Sequence, residues 1–472
     1  MNIPGRIVGF LSEEFHEYVF EFDKVKLEVR LYSTSREVVR ENMVNSFRRF
    51  AENYKQHRWL DALTLKGITS EGYLVYFGTL DNPSCYNGYL TYEVNWYYIT
   101  DNNDGIIDEI RFYGREIDCF FDPENTFKID LKYGGEKFVT VDSINIEASN
   151  SEEISCGMFM HGALRVDSFC GSNTTLKYNS AVPLNARSYY SMKLSSPIGI
   201  DELRDIITVF QKFLRYICYR TNVEISEIST YCLAEYGMRK ECGKFVLDQT
   251  CGVEENSHIH DRIISASDLR EHSSELLLAI DEGKIRDDYL CDSLKDCTHY
   301  TTSRVIMILA AFEREFREIY GQDIRRSEKY KAAKELTVEC ILNLANKMTG
   351  KQKKYIRDFA KGIENHDSSY GDNLEYAFID CRSIMEPFVT RHFEGAYKEI
   401  VETVAVNINY LRNGIAHSRI DMNIEPRNLT DIKFVEEMIY VIRLKKLGLN
   451  ENVIKKIINS LFRENIPLEN FE

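Results

Sequence analysis

The chain of 472 residues is long enough for two or three domains, each with a sizeable core. Its apolar fraction of 44% and aromatic fraction of 12% exclude a disordered protein. The longest apolar run, residues 305–312, is far shorter than the roughly 18 residues that a membrane-spanning helix needs. The N-terminal stretch turns acidic where a signal peptide would need its apolar segment. The sequence therefore predicts a soluble cytoplasmic protein with no membrane partner.

The net charge of −15 is distributed unevenly along the chain. Residues 301–472 carry 27 basic and 26 acidic side chains, whereas the first 300 residues carry 32 and 48. Within 325–361, 11 basic residues stand against four acidic ones. A local basic surface on an acidic protein is what RNA phosphates require, although a solvated helix face gives the same pattern. The residues predicted to bind RNA are Arg325, Arg326, Lys351, Lys353, Lys354 and Arg357.

The N-terminal part, residues 7–195, alternates apolar and polar side chains in short runs that are rich in Val, Ile, Tyr and Phe. Turn sequences such as DNPSCYNG, TDNNDG and YGGE separate these runs. This alternation predicts an antiparallel sandwich or barrel-like domain, interrupted by a helix at 36–54. The runs that predict strands are KLEVRLY, YLVYF, YLTYEVNWYYI, EIRFYG, TFKIDL and KFVTV.

The apolar period changes from two to about 3.6 at residues 199–221, which predicts an amphipathic helix. A second helix is predicted at 264–284, and from about residue 290 the whole chain has helical periodicity. The fold class is therefore predicted as α+β, with a β-rich domain at 1–289 and an all-α domain at 290–472. The helices predicted in the second domain are 300–320, 327–348, 350–363, 372–388, 391–417, 431–446 and 450–463.

The 12 cysteines are scattered and include no tight CxxC pair, which argues against a disulfide framework. Four of them precede glycine, an arrangement that suits zinc knuckles, although their spacings match no standard zinc finger. Buried free cysteines and a structural zinc site are both compatible with this pattern. The residues concerned are Cys156, Cys170, Cys242 and Cys251, with His161, His258 and His260 nearby in sequence.

The stretch YLRNGIAHS, residues 410–418, places three polar side chains beside an apolar helical stripe. Asn413 and His417 are four residues apart and therefore neighbours on one face, and Arg412 is long enough to reach the same place. Histidine titrates near neutral pH and can move the proton of an RNA 2′-hydroxyl, while arginine stabilises the charge that develops on phosphate. The other interpretation is a kinked surface helix, at Gly414, whose polar residues form local salt bridges.

The segment RNGIAHS resembles the Arg-x4-6-His motif of HEPN domains (higher eukaryotes and prokaryotes nucleotide-binding). The helical span 290–465, with LAAFEREFREIY as an early helix, is similar to the HEPN bundle. The β-rich leader that ends in ITVFQKFLRYICYRT is similar to the N-terminal domain of ApeA-type anti-phage proteins. In that family, such a domain precedes a C-terminal HEPN ribonuclease.

The resemblance implies an endoribonuclease that cleaves RNA, often tRNA, without a metal or other cofactor once a phage-derived trigger is sensed. Arg412 and His417 would carry the catalytic roles, with Asn413 as the polar residue between them and Glu313 as a supporting early-helix acid. It also implies a homodimer or higher oligomer through the HEPN domain, and a sensing or restraining N-terminal domain. The alternative is a catalytically silent HEPN domain that binds a nucleotide or a partner.

Overall fold

The computed structural model shows an α+β protein in which an antiparallel β-barrel with additional strands precedes a helical region. The chain divides into two compact units, 1–281 and 282–472, whereas the sequence prediction places the boundary after residue 289. The residues that the structure describes are 5–13, 16–33, 35, 37–41, 44–45, 48, 62–80, 83–86, 89–101, 106–122, 127–134, 140–148, 153–176, 184–233, 238–248, 254, 259, 262–321, 328–364, 369–416 and 426–467.

The N-terminal unit consists of antiparallel strands and helices among its described residues. The strands are β1 (Arg6–Glu13), β2 (His16–Asp23), β3 (Glu28–Tyr32), β4 (Ala62–Thr69), β5 (Leu74–Leu80), β6 (Ser84–Tyr86), β7 (Tyr89–Thr100), β8 (Ile107–Tyr113), β9 (Phe127–Gly134), β10 (Thr140–Ala148), β11 (Ile154–His161), β12 (Leu164–Leu176), β13 (Leu184–Ile198), β14 (Glu227–Leu233) and β15 (Arg239–Leu247). The helices are α1 (Arg115–Phe120), α2 (Ile200–Cys218), α3 (Ala266–Leu269) and α4 (His272–Asp281). The helix predicted at 36–54 is described in part, and its described residues are helical: 37–41, 44, 45 and 48.

Six strands close into a barrel in the order β7, β3, β2, β1, β4, β5 and back to β7. Its interior is aromatic: the Phe22 ring lies 4.8 Å from Phe77 and 4.9 Å from Tyr97, centroid to centroid. The alternating pattern buries every second residue of β3, as a half-buried strand requires. The barrel-like prediction from period-two alternation is therefore confirmed.

The long strand β7 also belongs to a second, open antiparallel sheet, ordered β7, β15, β14, β8, β13, β12, β11. Residues 96–100 of β7 carry β5 on one edge and β15 on the other. Helix α2 packs on this sheet through Phe210, whose ring lies 4.0 Å from Phe112 and 4.8 Å from Tyr190. The predicted apolar stripe of this helix is buried: Leu203, Ile206, Ile207, Phe210, Phe213 and Leu214.

The single helix predicted at 264–284 is wrong, because two helices, α3 and α4, occupy this segment. Arg270 separates them with a φ of 48°, a left-handed conformation that an α-helix cannot contain. Periodicity alone did not reveal this turn because Arg is compatible with a helix interior.

The C-terminal unit consists of helices among the residues that the structure describes. They are α5 (Thr302–Tyr320), α6 (Glu328–Asn346), α7 (Gly350–Glu364), α8 (Tyr370–Asp380), α9 (Arg382–His392), α10 (Tyr397–Ala416), α11 (Pro426–Lys446) and α12 (Glu451–Leu461). The segment predicted as one helix at 372–388 is two helices, α8 and α9, which meet at Cys381. None of the described helices is long and apolar enough to cross a membrane.

Helix α11 forms the centre of the C-terminal unit and is buried on nearly all sides. Two of its charged residues are paired with oppositely charged residues of α5, which reduces the cost of burying them. Arg443 binds Glu315 of α5, and Glu436 accepts a hydrogen bond from Arg304 at 2.8 Å. Helix α5 is thereby fixed against the core, with its remaining polar residues directed outward.

Candidate functional site

The apolar stripe predicted on the last part of α10 is buried, which fixes the orientation of the polar residues beside it. Val401, Val404, Ile408 and Leu411 are each 1% exposed or less, while Asn413 is exposed and Arg412 half-buried. Gly414 is buried.

Arg412 contacts α5 and α8 from its position on α10. Its Nη2 donates a hydrogen bond to Oε2 of Glu313 at 3.2 Å, and its guanidinium lies 5.8 Å from the centre of the Tyr370 ring. The side chain is nevertheless 41% exposed. Two neighbours thus orient the guanidinium while part of it still faces solvent.

Glu313 joins two arginines through its two carboxylate oxygens. Oε2 accepts the hydrogen bond from Arg412, and Oε1 accepts one from Arg317 Nη2 at 2.6 Å. Arg317 lies one helical turn beyond Glu313, at the i,i+4 spacing at which side chains meet. The arrangement leaves one more positive charge than negative, which favours an anionic ligand.

Tyr370 forms the wall on the other side of Arg412. Its ring packs 5.4 Å from Phe312, and its buried hydroxyl has no hydrogen-bond partner among the residues described. Burial raises the pKa of Tyr370 well above its usual value; Glu313 adds to this shift and Arg412 opposes it. The phenol is therefore neutral at physiological pH and cannot act as a base there.

The start of α8 is held firmly, which positions Tyr370. Ser369 caps the helix by accepting from Asp372 N, and the Asp372 carboxylate accepts from Ser369 N, a reciprocal capping box. Gly371 lies against α10, where a Cβ would come within 3.1 Å of the Ala405 carbonyl oxygen. A side chain there would require its neighbours to shift by a few tenths of an ångström.

A surface cleft of about 490 Å³ lies along α5 beside Glu313. Its lining is mostly charged and includes two arginines and two glutamates. The lining residues are Ala310, Glu313, Arg314, Arg317, Glu318 and Gly321. Glu313 and Arg317, the two cluster members on α5, thus border an open space of the size that ligand sites have, whereas Arg412 is not part of its lining.

The chain matches no family model, and searches of curated proteins and solved structures found no significant match. The resemblance to HEPN and ApeA-type proteins therefore stays a prediction, based on the residues quoted for it.

The predicted site residues are only partly brought together. Arg412, Asn413 and the supporting Glu313 lie within the described residues, whereas His417, Arg325 and Arg326 lie outside them. Helix α10 is described as far as Ala416, the residue before His417.

The basic residues predicted to bind RNA lie on α7. Lys351, Lys354 and Arg357 are exposed and Lys353 is half-buried. Within the C-terminal unit, α7 makes its extensive contacts with α6 and not with α10. This basic group and Arg412 are therefore separate features of the unit.

The cysteines considered for zinc do not converge on one ion. Cys156 and Cys170 are cross-strand neighbours with their sulfurs 3.2 Å apart, whereas Cys242 lies on β15. Four strand spacings, roughly 19 Å, separate β12 from β15, too far for one ion to bind both Cys170 and Cys242. His161 instead contacts Asp281 at 2.9 Å, and Cys251, His258 and His260 lie outside the described residues. No group of metal-ligating side chains occurs within the described part of the chain.

Sequence reasoning missed two members of the site, Arg317 and Tyr370. The i,i+4 spacing from Glu313 to Arg317 was readable and could have indicated the ion pair. Nothing in the sequence near Tyr370 indicates that α8 begins beside α10, since that contact depends on how the helices pack.

Proposed function

We propose that the C-terminal unit is a metal-independent endoribonuclease of the HEPN type. The observation that carries the proposal is the contact between Arg412 and Glu313, which joins the arginine of the motif to the early-helix acid beside an open cleft. The two residues are far apart in sequence, so only the fold brings them together. A phosphate group is the ligand that an oriented, partly exposed guanidinium recognises best.

Arg412 would hold the scissile phosphate. A guanidinium has five N–H donors in a fixed plane, and Glu313 engages Nη2 while the side chain remains 41% exposed. The solvent-facing N–H groups can donate to two phosphate oxygens as negative charge builds on them. Glu313 and the Tyr370 ring would keep the group oriented before RNA arrives.

His417 would move the protons. The RNA 2′-oxygen attacks the adjacent phosphorus, its proton passes to a histidine, and the P–O5′ bond breaks as the 5′-oxygen gains a proton. The products are a 2′,3′-cyclic phosphate and a 5′-hydroxyl, and this route requires no metal. A two-fold dimer supplies a second His417, so that one can act as base and the other as acid.

The biological role proposed is anti-phage defence, with RNA, tRNA in particular, as the substrate and a phage-derived molecule as the trigger. It is supported by the resemblance to ApeA-type proteins and by a cavity of about 740 Å³ in the N-terminal unit. The walls of this cavity include Phe120, Phe121, Ile154 and Arg270. A pocket of this volume that combines apolar side chains with the charged Asp122, Arg270 and Glu271 has the properties of a ligand-binding site, as a sensing domain requires.

A catalytically silent binding domain is the second candidate. The same contact favours it. Arg412 already has a carboxylate and an aromatic ring as neighbours, and a salt bridge with a purely structural role would have the same geometry. The two functions differ in one respect: a silent domain binds RNA or a nucleotide but leaves RNA intact.

The experiment compares RNA ends in cells that express the parent chain, His417→Ala, Arg412→Ala or the control Arg382→Ala, with and without phage. Arg382 matches Arg412 in kind: it binds Glu386 at 2.8 Å and lies 5.5 Å from the Tyr397 ring. We expect the first two variants to lose cleavage by about 100-fold or more, because each lacks a group needed in the transition state. The control should cleave like the parent.

The purified variants should keep the parent's far-UV circular dichroism and mass, which separates a lost reaction from a lost fold. Cleavage by His417→Ala or Arg412→Ala at the parent's rate would refute the ribonuclease assignment. Binding of RNA by the parent without any new RNA ends, with and without phage, would establish the silent domain instead.

A further inference from the structure

Helices α6 and α7 form an antiparallel hairpin that lacks a core of its own. Only residues 347–349 connect the two helices, and within the C-terminal unit their extensive contacts are with each other. Among their described side chains, only Ala345 and Ala360 are fully buried. Helices of this length are stabilised chiefly by burying an apolar face, so two alanines are too little.

The hairpin instead exposes large apolar side chains. Leu336 is 63% exposed, Leu344 47%, Tyr355 58% and Phe359 67%, and Cys340 is also exposed. The three residues on α6 follow one another at four-residue intervals, as do the two on α7, so each set lies on one helix face. These five residues are called the hairpin face below: Leu336, Cys340, Leu344, Tyr355 and Phe359.

Both sets lie on the same side of the hairpin. Helix α6 packs through Val338, Ile341 and Ala345, and α7 packs through Ile356, Ala360 and Ile363. We view each helix from its own N-terminus and measure the angle about the helix axis. On average, the exposed residues are rotated from the packing residues by roughly 90° on one helix and 130° on the other, in the same direction. Equal displacements on antiparallel helices point to the same side, so the hairpin face is continuous.

The opposite side of the hairpin carries the charges. Each residue of an α-helix is rotated by 100° from the one before it. By this rotation, four charged residues lie on the side of the packing surface opposite to the hairpin face: Glu335 and Glu339 of α6, and Arg357 and Lys361 of α7. Lys354 lies with them, near the outer edge. The hairpin is thus amphipathic as a unit, with one charged side and one largely apolar side that carries Lys351 at the start of α7.

We propose that the hairpin face binds the hairpin face of a second copy of this chain, so that the two pairs of helices form a four-helix bundle. A bundle of this kind needs two further helices of matching length with an apolar side, which an identical hairpin provides. The same patch is used by both copies, as a two-fold interface requires.

The size of the hairpin face fits such an interface. Helices of 15 and 19 residues are about 22 and 28 Å long, and two neighbouring helices are about 20 Å wide. The resulting face of roughly 500 Å² in projection is comparable with the roughly 800 Å² of accessible surface that each partner buries in a standard interface. An apolar patch of this extent is also at the upper end for a monomer.

The chemistry of the hairpin face favours protein over RNA. RNA needs cations along the side that it contacts, and Lys354, Arg357 and Lys361 lie on the other side. Lys351, four residues before Tyr355, lies at one end of the hairpin face and adds a single charge there. Leu336 and Leu344 offer no flat surface on which a base could stack. This inference does not depend on RNA cleavage, and it leaves the charged side of α7 free for the RNA-binding role predicted for Lys354 and Arg357.

The test uses the full-length chain with Phe359→Glu or Leu336→Glu, and Leu342→Glu as the control. Leu342 is 40% exposed on the same helix but lies on the charged side, so its substitution adds the same charge away from the hairpin face. Sedimentation velocity over a concentration series gives the mass and the dissociation constant of each assembly. We expect the first two variants to raise that constant at least 10-fold, with the control like the parent.

A dimer formed through α10 would use a different surface from the hairpin face, so the two association steps can be distinguished. Loss of one association step in Phe359→Glu and Leu336→Glu, with unchanged circular dichroism, supports the proposal. Equal mass distributions in all four proteins would overturn it. A loss of RNA binding by the two variants without any change in mass would also overturn it and would assign the hairpin face to RNA.

Discussion

Each unit of the protein contains an arginine–glutamate pair, and the two pairs differ in their contact with water. Arg220 and Glu116 in the N-terminal unit are 0% and 1% exposed, whereas Arg412 and Glu313 in the C-terminal unit are 41% and 25% exposed. The chemistry of the side chains is the same in both places. The difference teaches that burial, more than pairing, decides whether such a pair stabilises the fold or remains available to a ligand.

The carboxylate of the buried pair has a partner on each of its two oxygens. Glu116 binds Arg220 through Oε1 and accepts a hydrogen bond from Glu224 N through Oε2 at 3.0 Å. Charges removed from water this completely are tolerated because each has the other as a partner. No room remains for an outside phosphate, so the Arg220–Glu116 pair is structural.

The largest effect is expected from breaking the buried pair. Arg220→Met should lower the free energy of unfolding of the N-terminal unit by about 3–5 kcal/mol, because it leaves the Glu116 carboxylate buried without its partner. Both tryptophans of the chain, Trp59 and Trp96, belong to this unit, so fluorescence during urea unfolding reports on it. Arg412→Met is the matched control in the helical unit, whose unfolding is followed by circular dichroism at 222 nm, and it should change the stability of that unit by less than about 1 kcal/mol. Equal losses of unfolding free energy in the two variants would show that burial does not determine how much each pair contributes to stability.

A smaller effect on stability and a clear effect on activity are expected at Glu313. Glu313→Gln removes the charge that orients Arg412 and should lower kcat for RNA cleavage by about 10-fold, with little change in KM and under about 1 kcal/mol in stability. Glu318→Gln is the control, because Glu318 lines the same cleft on the same helix. Glu313→Asp should recover part of kcat. If Glu313→Gln and Glu318→Gln have the same kcat, the carboxylate does not position Arg412.

The smallest effect is expected from a pair of intermediate exposure, Asp380 and Lys445, each 35% exposed and 2.9 Å apart. Burial raises the pKa of Asp380, but hydrogen bonds from Lys445 and Tyr320 outweigh it and hold the pKa below 3.8. A lowered carboxyl pKa stabilises the fold above about pH 4, and this contribution is lost as the pH falls below that value.

Lys445→Met should therefore cost less than about 1 kcal/mol at pH 7, and the difference from the parent should shrink near pH 3. Urea unfolding, followed by circular dichroism at 222 nm at both pH values, measures this difference in the free energy of unfolding. The neighbouring exposed Lys446→Met serves as the control. A difference that grows on acidification would contradict the sign of the shift.

The sequence predicted those features of the fold that depend on local patterns. The stripe of α2 and the stripe of α10 follow from helical periodicity, and both are buried as expected. Closure of the barrel could not be predicted, because the pairing of β5 with β7 depends on contacts that no local pattern encodes. The breaks at Arg270 and Cys381 were missed because neither residue is a helix breaker.

The candidate site was predictable to a similar extent. The motif at 410–418 and the resemblance singled out Arg412 and Glu313, and the structure places these two in contact. Tyr370 could not be found, since its role depends on the start of α8 packing against α10 at Gly371. A helical period identifies the face on which a residue lies but not the element that it will meet.

Strand β7 has a consequence for the order in which the chain can fold during synthesis. Residues 6–100 contain all six barrel strands, yet the outer edge of β7 at 96–100 pairs with β15, whose residues end at Leu247. At 5–20 residues per second, a ribosome needs roughly 7–30 s to make the missing segment. Throughout that interval an aromatic edge that includes Trp96 and Tyr98 has no strand to pair with, and such edges recruit other chains. The nascent protein is therefore most vulnerable to aggregation after its barrel is complete and before β15 has emerged.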